Sequence, residues 1–136
     1  MLRFISAFLL VVGLSLSSAS AQTLPLPSVW KNARGSEMRI WPGAAAGSFR
    51  GVYTNNAAGF DCQGIPFDLV GETSANAVRF VVVWKNAMKS CNSITAWVGS
   101  LIGNDILRTG WELAYVDRNT GLMKTLRGSD VFRRVP

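Results

Sequence analysis

Apolar and polar positions alternate with a period of two through most of this chain, and after Ser28 no stretch sustains a helical period. Short runs rich in Val, Ile, Phe, Trp and Thr recur, separated by Gly, Asn, Asp and Pro. They predict eight strands, at 28–33, 36–42, 48–55, 67–73, 77–86, 92–102, 105–116 and 122–133. Turn signals lie between them at Ala33-Arg34-Gly35, Pro42-Gly43, Gly103-Asn104-Asp105 and Asn119-Thr120-Gly121. The longest connection, Asn56 to Pro66, contains glycine and carries Cys62. Eight consecutive short strands with tight turns predict an all-β fold, an eight-stranded antiparallel up-and-down β-barrel. Closure removes the exposed edges that an open sheet must manage. A barrel of this size holds one small ligand or a packed core.

Parity decides which side chains face inward. In the seventh strand Thr109, Trp111, Leu113 and Tyr115 oppose Arg108 and Glu112, so the charges turn Trp111 inward. In the fifth, Val78, Phe80, Val82 and Trp84 oppose Arg79 and Lys85. In the sixth, Ser93, Thr95 and Trp97 share one face and Ile94, Ala96 and Val98 the other. The interior thus collects Trp30, Trp84, Trp97 and Trp111 with Asn32, Tyr53, Asn55, Ser93, Thr95 and Asp130. So many inward polar groups are costly unless paired. Either they satisfy one another in a buried network, or they converge on a small polar ligand seated among the indoles. Asp130 is the most telling member, because a buried carboxylate needs donors and only Lys124 among the cations shares its face. Val81, Val83, Ile94 and Val98 fall outside, and an outward apolar face on neighbouring strands predicts a subunit interface.

Met1 to Ala21 stands apart. Arg3 gives a positive start, Phe4 to Leu16 is apolar, and Ala19-Ser20-Ala21 has small residues at a cleavage site. The apolar run is shorter than the ~20 residues a membrane-spanning helix needs. It reads as a signal peptide over 1–21, which makes the protein secreted or periplasmic and leaves no membrane contact after cleavage. Residues 22–27 (QTLPLP) read as a flexible lead-in, and 28–136 as the barrel. In an oxidising compartment Cys62 and Cys91 form one bridge or remain two buried thiols.

Of 136 residues, 14 are Lys or Arg and 8 are Asp or Glu, a net charge of +6, and none is His. The missing His removes His-based triads and His-ligated metal sites. Two cysteines cannot build a Cys-rich zinc site, so no metal and no cofactor are expected. Asp130, or Asp61 with Asp68, lacks a visible activating partner, which leaves no enzyme. The cations are scattered one or two per strand, so no nucleic-acid-binding stripe forms.

WKNARGS (Trp30–Ser36), GVYTN (Gly51–Asn55), VVWKN (Val82–Asn86), SITAWVG (Ser93–Gly99), TGWEL (Thr109–Leu113) and GSDVF (Gly128–Phe132) together resemble the avidin/streptavidin family of biotin-binding proteins. All six occur in that family's order, across nearly the whole chain from Ser28 to Arg133. The resemblance implies high-affinity, non-covalent biotin binding in the barrel mouth. It implies that Asn32, Ser36 and Tyr53 donate to the ureido oxygen, and that Asp130 and Asn55 accept from the two ring N–H groups. Thr95 then lies beside the thioether sulfur and Ser93 near the valerate carboxylate. Trp84, Trp97 and Trp111 form an aromatic box, Leu113 a further wall, and Trp30 floor packing. Tetrameric members carry a capping Trp between the seventh and eighth strands; here no Trp follows Trp111, and Leu122 sits near that position. Cys62, Cys91 and the CQGIPF loop resemble the dimeric, rhizavidin-like bacterial branch, which implies a homodimer and a bridge between two loops at the pocket mouth. The alternative is a lipocalin-like carrier of an apolar ligand, which would leave Ser93, Thr95 and Asp130 unpaired.

Overall fold

In a computed structural model describing residues 22–136, the chain forms β1 Ser28–Asn32, β2 Glu37–Pro42, β3 Ser48–Thr54, β4 Pro66–Ser74, β5 Ala77–Lys85, β6 Ser90–Ile102, β7 Ile106–Val116 and β8 Met123–Arg134. The signal peptide expected at 1–21 lies outside the described residues. Each strand pairs antiparallel with the next, and β8 pairs with β1, so the sheet closes into the expected barrel in chain order. No helix among the described residues is long and apolar enough to cross a membrane.

Alternation builds the wall. On β5, Val78, Phe80, Val82 and Trp84 are buried while Arg79, Val83 and Lys85 are exposed. On β4, Phe67 and Leu69 are buried between exposed Asp68 and Val70. Trp30, Ile40, Phe49, Phe80, Leu101, Leu107 and Phe132 fill the barrel below its open end. Full burial of such a side chain stabilises by about 1.5–3 kcal/mol. Phe80 stacks on Trp97 with ring centres 4.8 Å apart, so this floor supports an indole of the cavity above it. The expected outward face is also present: Val83, Ile94 and Val98 are exposed, Val98 by 64%.

Three local features differ from the sequence expectation. Ser36 and Asn55 lie just beyond the strand ends rather than inside them. Between β5 and β6 the register passes from Val83↔Ile94 to Lys85↔Ser90, leaving one residue of β5 opposite three of β6. Asn92 in this bulge has φ 48°, a left-handed conformation that asparagine tolerates. The bulge extends β6 back to Ser90, so Cys91 lies in a strand and not in a loop. Residues 22–27, expected to be loose, are anchored: Leu24 is buried in the core cluster, and the Ser28 hydroxyl donates to the Pro25 carbonyl at 2.5 Å. The apolar side chain of Leu24 gains more from that core than from water.

The closure is uneven. β8 is in register with β7 along Ile106–Val116, but with β1 only where Phe132–Arg134 meets Trp30–Asn32. Met123–Val131 therefore has a strand neighbour on one side only.

Candidate functional site

The open end of the barrel carries the β1–β2, β3–β4, β5–β6 and β7–β8 connections, and beneath them lies a cavity of about 480 Å³. That is the size of a small-molecule site. The lining includes Asn32, Ser36, Tyr53, Asn55, Trp84, Ser93, Thr95, Trp97, Trp111, Leu113 and Asp130, all eleven residues expected from the sequence. Trp30 is fully buried in the floor, with its indole N–H donating to the Ser28 hydroxyl at 2.8 Å.

The polar groups are set by the turns that end the strands. Asn32 Oδ1 accepts from the backbone N–H groups of Arg34 and Ser36, both at 3.0 Å. This closes the β1–β2 connection and aims Asn32 Nδ2 into the barrel. There Nδ2 donates to Asp130 Oδ1 at 3.2 Å, while Trp97 Nε1 donates to Asp130 Oδ2 at 3.0 Å. Asp130 thus finds its donors on β1 and β6. Arg134, the other cation of that parity on β8, pairs with Asp105, and Lys124 pairs with Asp117. Lys124 stands six residues nearer the mouth, roughly 20 Å along an extended strand. Ser36 Oγ donates to Asn55 Oδ1 at 3.1 Å and accepts from the Asn56 N–H at 3.0 Å. Asn55 Oδ1 also accepts from the Ala57 N–H at 3.0 Å, and Trp84 Nε1 donates to Thr95 Oγ1 at 2.8 Å.

Tyr53 stands at the bottom of the cavity with its ring 4.9 Å from that of Trp97. Burial, reinforced by the negative charge of Asp130, pushes its phenol well above the usual tyrosine pKa. It therefore stays protonated and able to donate. Trp111 lies against Gly128 of β8: a Cβ there would come within 2.3 Å of the indole. The glycine is what lets this wall of the cavity stand where it does.

Both readings of the inward polar set hold in part. Among the described residues no buried side-chain nitrogen or oxygen lacks a partner, yet the hollow remains. Spare capacity faces it. Asn32 Nδ2 has a second hydrogen, Tyr53 a phenolic hydrogen and Asp130 further lone pairs, while Asn55 Oδ1, filled by the Ser36 hydroxyl and the Ala57 N–H, becomes an acceptor once the Ser36 hydrogen turns away. Donors at the bottom with an acceptor on either side suit a carbonyl flanked by two N–H groups. The three indoles and Leu113 suit an apolar body attached to it.

The mouth was less legible. Phe60, Asp61, Tyr115, Arg118 and Leu126 also line the cavity. Tyr115 and Leu126 share the inward parity of β7 and β8, a signal that could have found them. Phe60, Asp61 and Arg118 lie in connections, where no period operates. Asp61 pairs with Arg118 at 3.1 Å, whereas Asp68 is exposed on β4, so neither has a carboxylate partner in the site. Cys62 and Cys91 form a disulfide with Cα atoms 6.2 Å apart.

The Avidin family profile matches residues 20–135. Afifavidin of Afifella pfennigii is 43% identical over 122 residues, covering 85% of this chain and 75% of that protein. The bradavidin2–biotin complex superposes with a TM-score of 0.73 at 47% identity, covering 82% of this chain and 99% of that one. The rhizavidin–biotin complex superposes with a TM-score of 0.72 at 37% identity, covering 80% and 92%.

Proposed function

Since this chain belongs to the avidin family, in its rhizavidin-like bacterial branch, we propose that it binds biotin without covalent chemistry in the cavity at the barrel mouth. The observation that carries this reading is the convergence of Asn32, Tyr53, Trp97 and Asp130, from four strands, on one hollow walled by indoles. Asn32, Ser36 and Tyr53 donate to the ureido oxygen. Asp130 accepts one ring N–H and Asn55 the other. Three donors on one carbonyl draw charge onto its oxygen and make the ring N–H groups better donors.

Binding works by exchange of partners. Ser36 has one hydroxyl hydrogen, which goes to Asn55 Oδ1 in the ligand-free site. When that hydrogen turns to the ureido oxygen, Asn55 Oδ1 is released to accept the ligand N–H. No buried group is orphaned at either stage, so little desolvation cost opposes entry. Trp84, Trp97, Trp111 and Leu113 cover the apolar rings, Thr95 lies beside the sulfur, and Ser93 reaches the carboxylate. The protein is a binder and not an enzyme, with biotin as ligand and no cofactor. It acts as a homodimer joined through the outward Val83, Ile94 and Val98, in a secreted or periplasmic setting after loss of residues 1–21. A lipocalin-like apolar ligand would set the same polar groups against hydrocarbon, which disfavours it.

Native mass spectrometry tests this directly. The expected result is one biotin added per chain, with the two-hydrogen deficit of the disulfide. A mass unchanged in excess biotin, or an adduct with a fatty acid in its place, overturns the reading.

A further inference from the structure

The β3–β4 and β7–β8 connections stand half a circle apart in an eight-stranded barrel closed in chain order. Asp61 lies in the first and Arg118 in the second, so their 3.1 Å ion pair spans the mouth across its full width. Each end has a firm mount. Cys62, next to Asp61, is bridged to Cys91 of β6. The turn carrying Arg118 is closed by Gly121 N–H to Asp117 O at 2.7 Å and Asn119 N–H to Asp117 Oδ1 at 2.8 Å. Between Ala57 and Cys62 the chain is different. Among the described residues Ala58–Asp61 is shaped by local turns and makes no backbone hydrogen bond to another part of the barrel, and Gly59 has φ 87°. Only half-buried Phe60, turned into the cavity, and the Asp61 carboxylate tie this crest down.

We propose that Asp61 and Arg118 are positioning residues that latch the crest over the bound ligand and set how long it stays. The disulfide cannot open for each passage of ligand, so the ion pair is the tie that must release. This rests on the biotin-binding reading for its ligand, but not for the latch itself.

The test measures dissociation of tritiated biotin, chased with unlabelled biotin, from the full chain and its variants. Exposed ion pairs are worth little, so Arg118→Gln and Asp61→Asn are each expected to speed release about two- to fivefold at low salt. Raising the salt to about 1 M shrinks the screening length to ~3 Å and should bring wild-type release up to the variant rate. The charge-swapped double variant, Asp61→Arg with Arg118→Asp, should restore slow release. A second readout needs no ligand. Chymotrypsin cleavage after Phe60 in the ligand-free protein should rise by the same factor in Arg118→Gln, because cleavage tracks the open population. Unchanged release and unchanged cleavage in both single variants overturn the latch. Cleavage that rises in Arg118→Gln while the wild type fails to take up biotin overturns the proposed function and leaves the latch standing.

Discussion

Asp130 is held by two N–H donors that come from the first and sixth strands, Asn32 and Trp97. Asp130→Ala strips both of their acceptor and removes a partner of the ligand. Hydrogen bonds to a charged acceptor are worth about 1.5–3 kcal/mol, so titration calorimetry should show biotin affinity falling by about ten- to a hundredfold. Tyr53 predicts a different signature. Its phenol keeps its proton in the fold because of burial and the Asp130 charge, whereas in the unfolded chain it ionises near pH 10. Stability linked to it is therefore fully present below pH ~10 and is lost as pH rises above that, where the unfolded chain holds fewer protons. Denaturation midpoints measured between pH 9 and pH 11.5 should decline more steeply for the wild type than for Tyr53→Phe.

Strand pairing explains why a position with no side chain matters as much as one with an indole. Gly128 of β8 is in register with Trp111 of β7, and both face inward. Gly128→Ala forces the indole to shift; overpacking of this kind costs about 1–3 kcal/mol of stability. The expected outcome is a lower melting temperature together with weaker biotin binding by calorimetry, because the displaced ring is a wall of the site. Elements also show what could be read from the sequence. Charges opposite Trp84 on β5 and Trp111 on β7 fix which way those indoles point, so these two stretches of the inner wall are legible in the alternation. The donors to Asp130 are not, because which residues of β1 and β6 stand level with it depends on the stagger of the closed sheet. The start of β6 was missed because the bulge at Asn92 breaks the alternation there. The contact between Asp61 and Arg118 joins two connections 57 residues apart, and no local pattern announces it.

For the molecule as a whole, net charge and surface chemistry point in different directions. A charge of +6 disfavours self-association, yet Val70, Val83, Ile94 and Val98 leave an apolar face on the outer wall. A stable dimer needs roughly 800 Å² buried on each partner, which such a face on neighbouring strands can supply. Sedimentation equilibrium should give about twice the chain mass for the wild type. Val98→Glu should give the single chain, with circular dichroism of the barrel unchanged.

The seam between the first and last strands adds a consequence of its own. Only three residues of β8 bond to β1, so this is where the ring has fewest ladder bonds to keep it shut. Asn32 and Asp130 face each other across that join. A small molecule gripped by both would rivet the head of the polypeptide to its tail. Heat or mechanical pulling would then have to expel the guest before the cylinder could unroll.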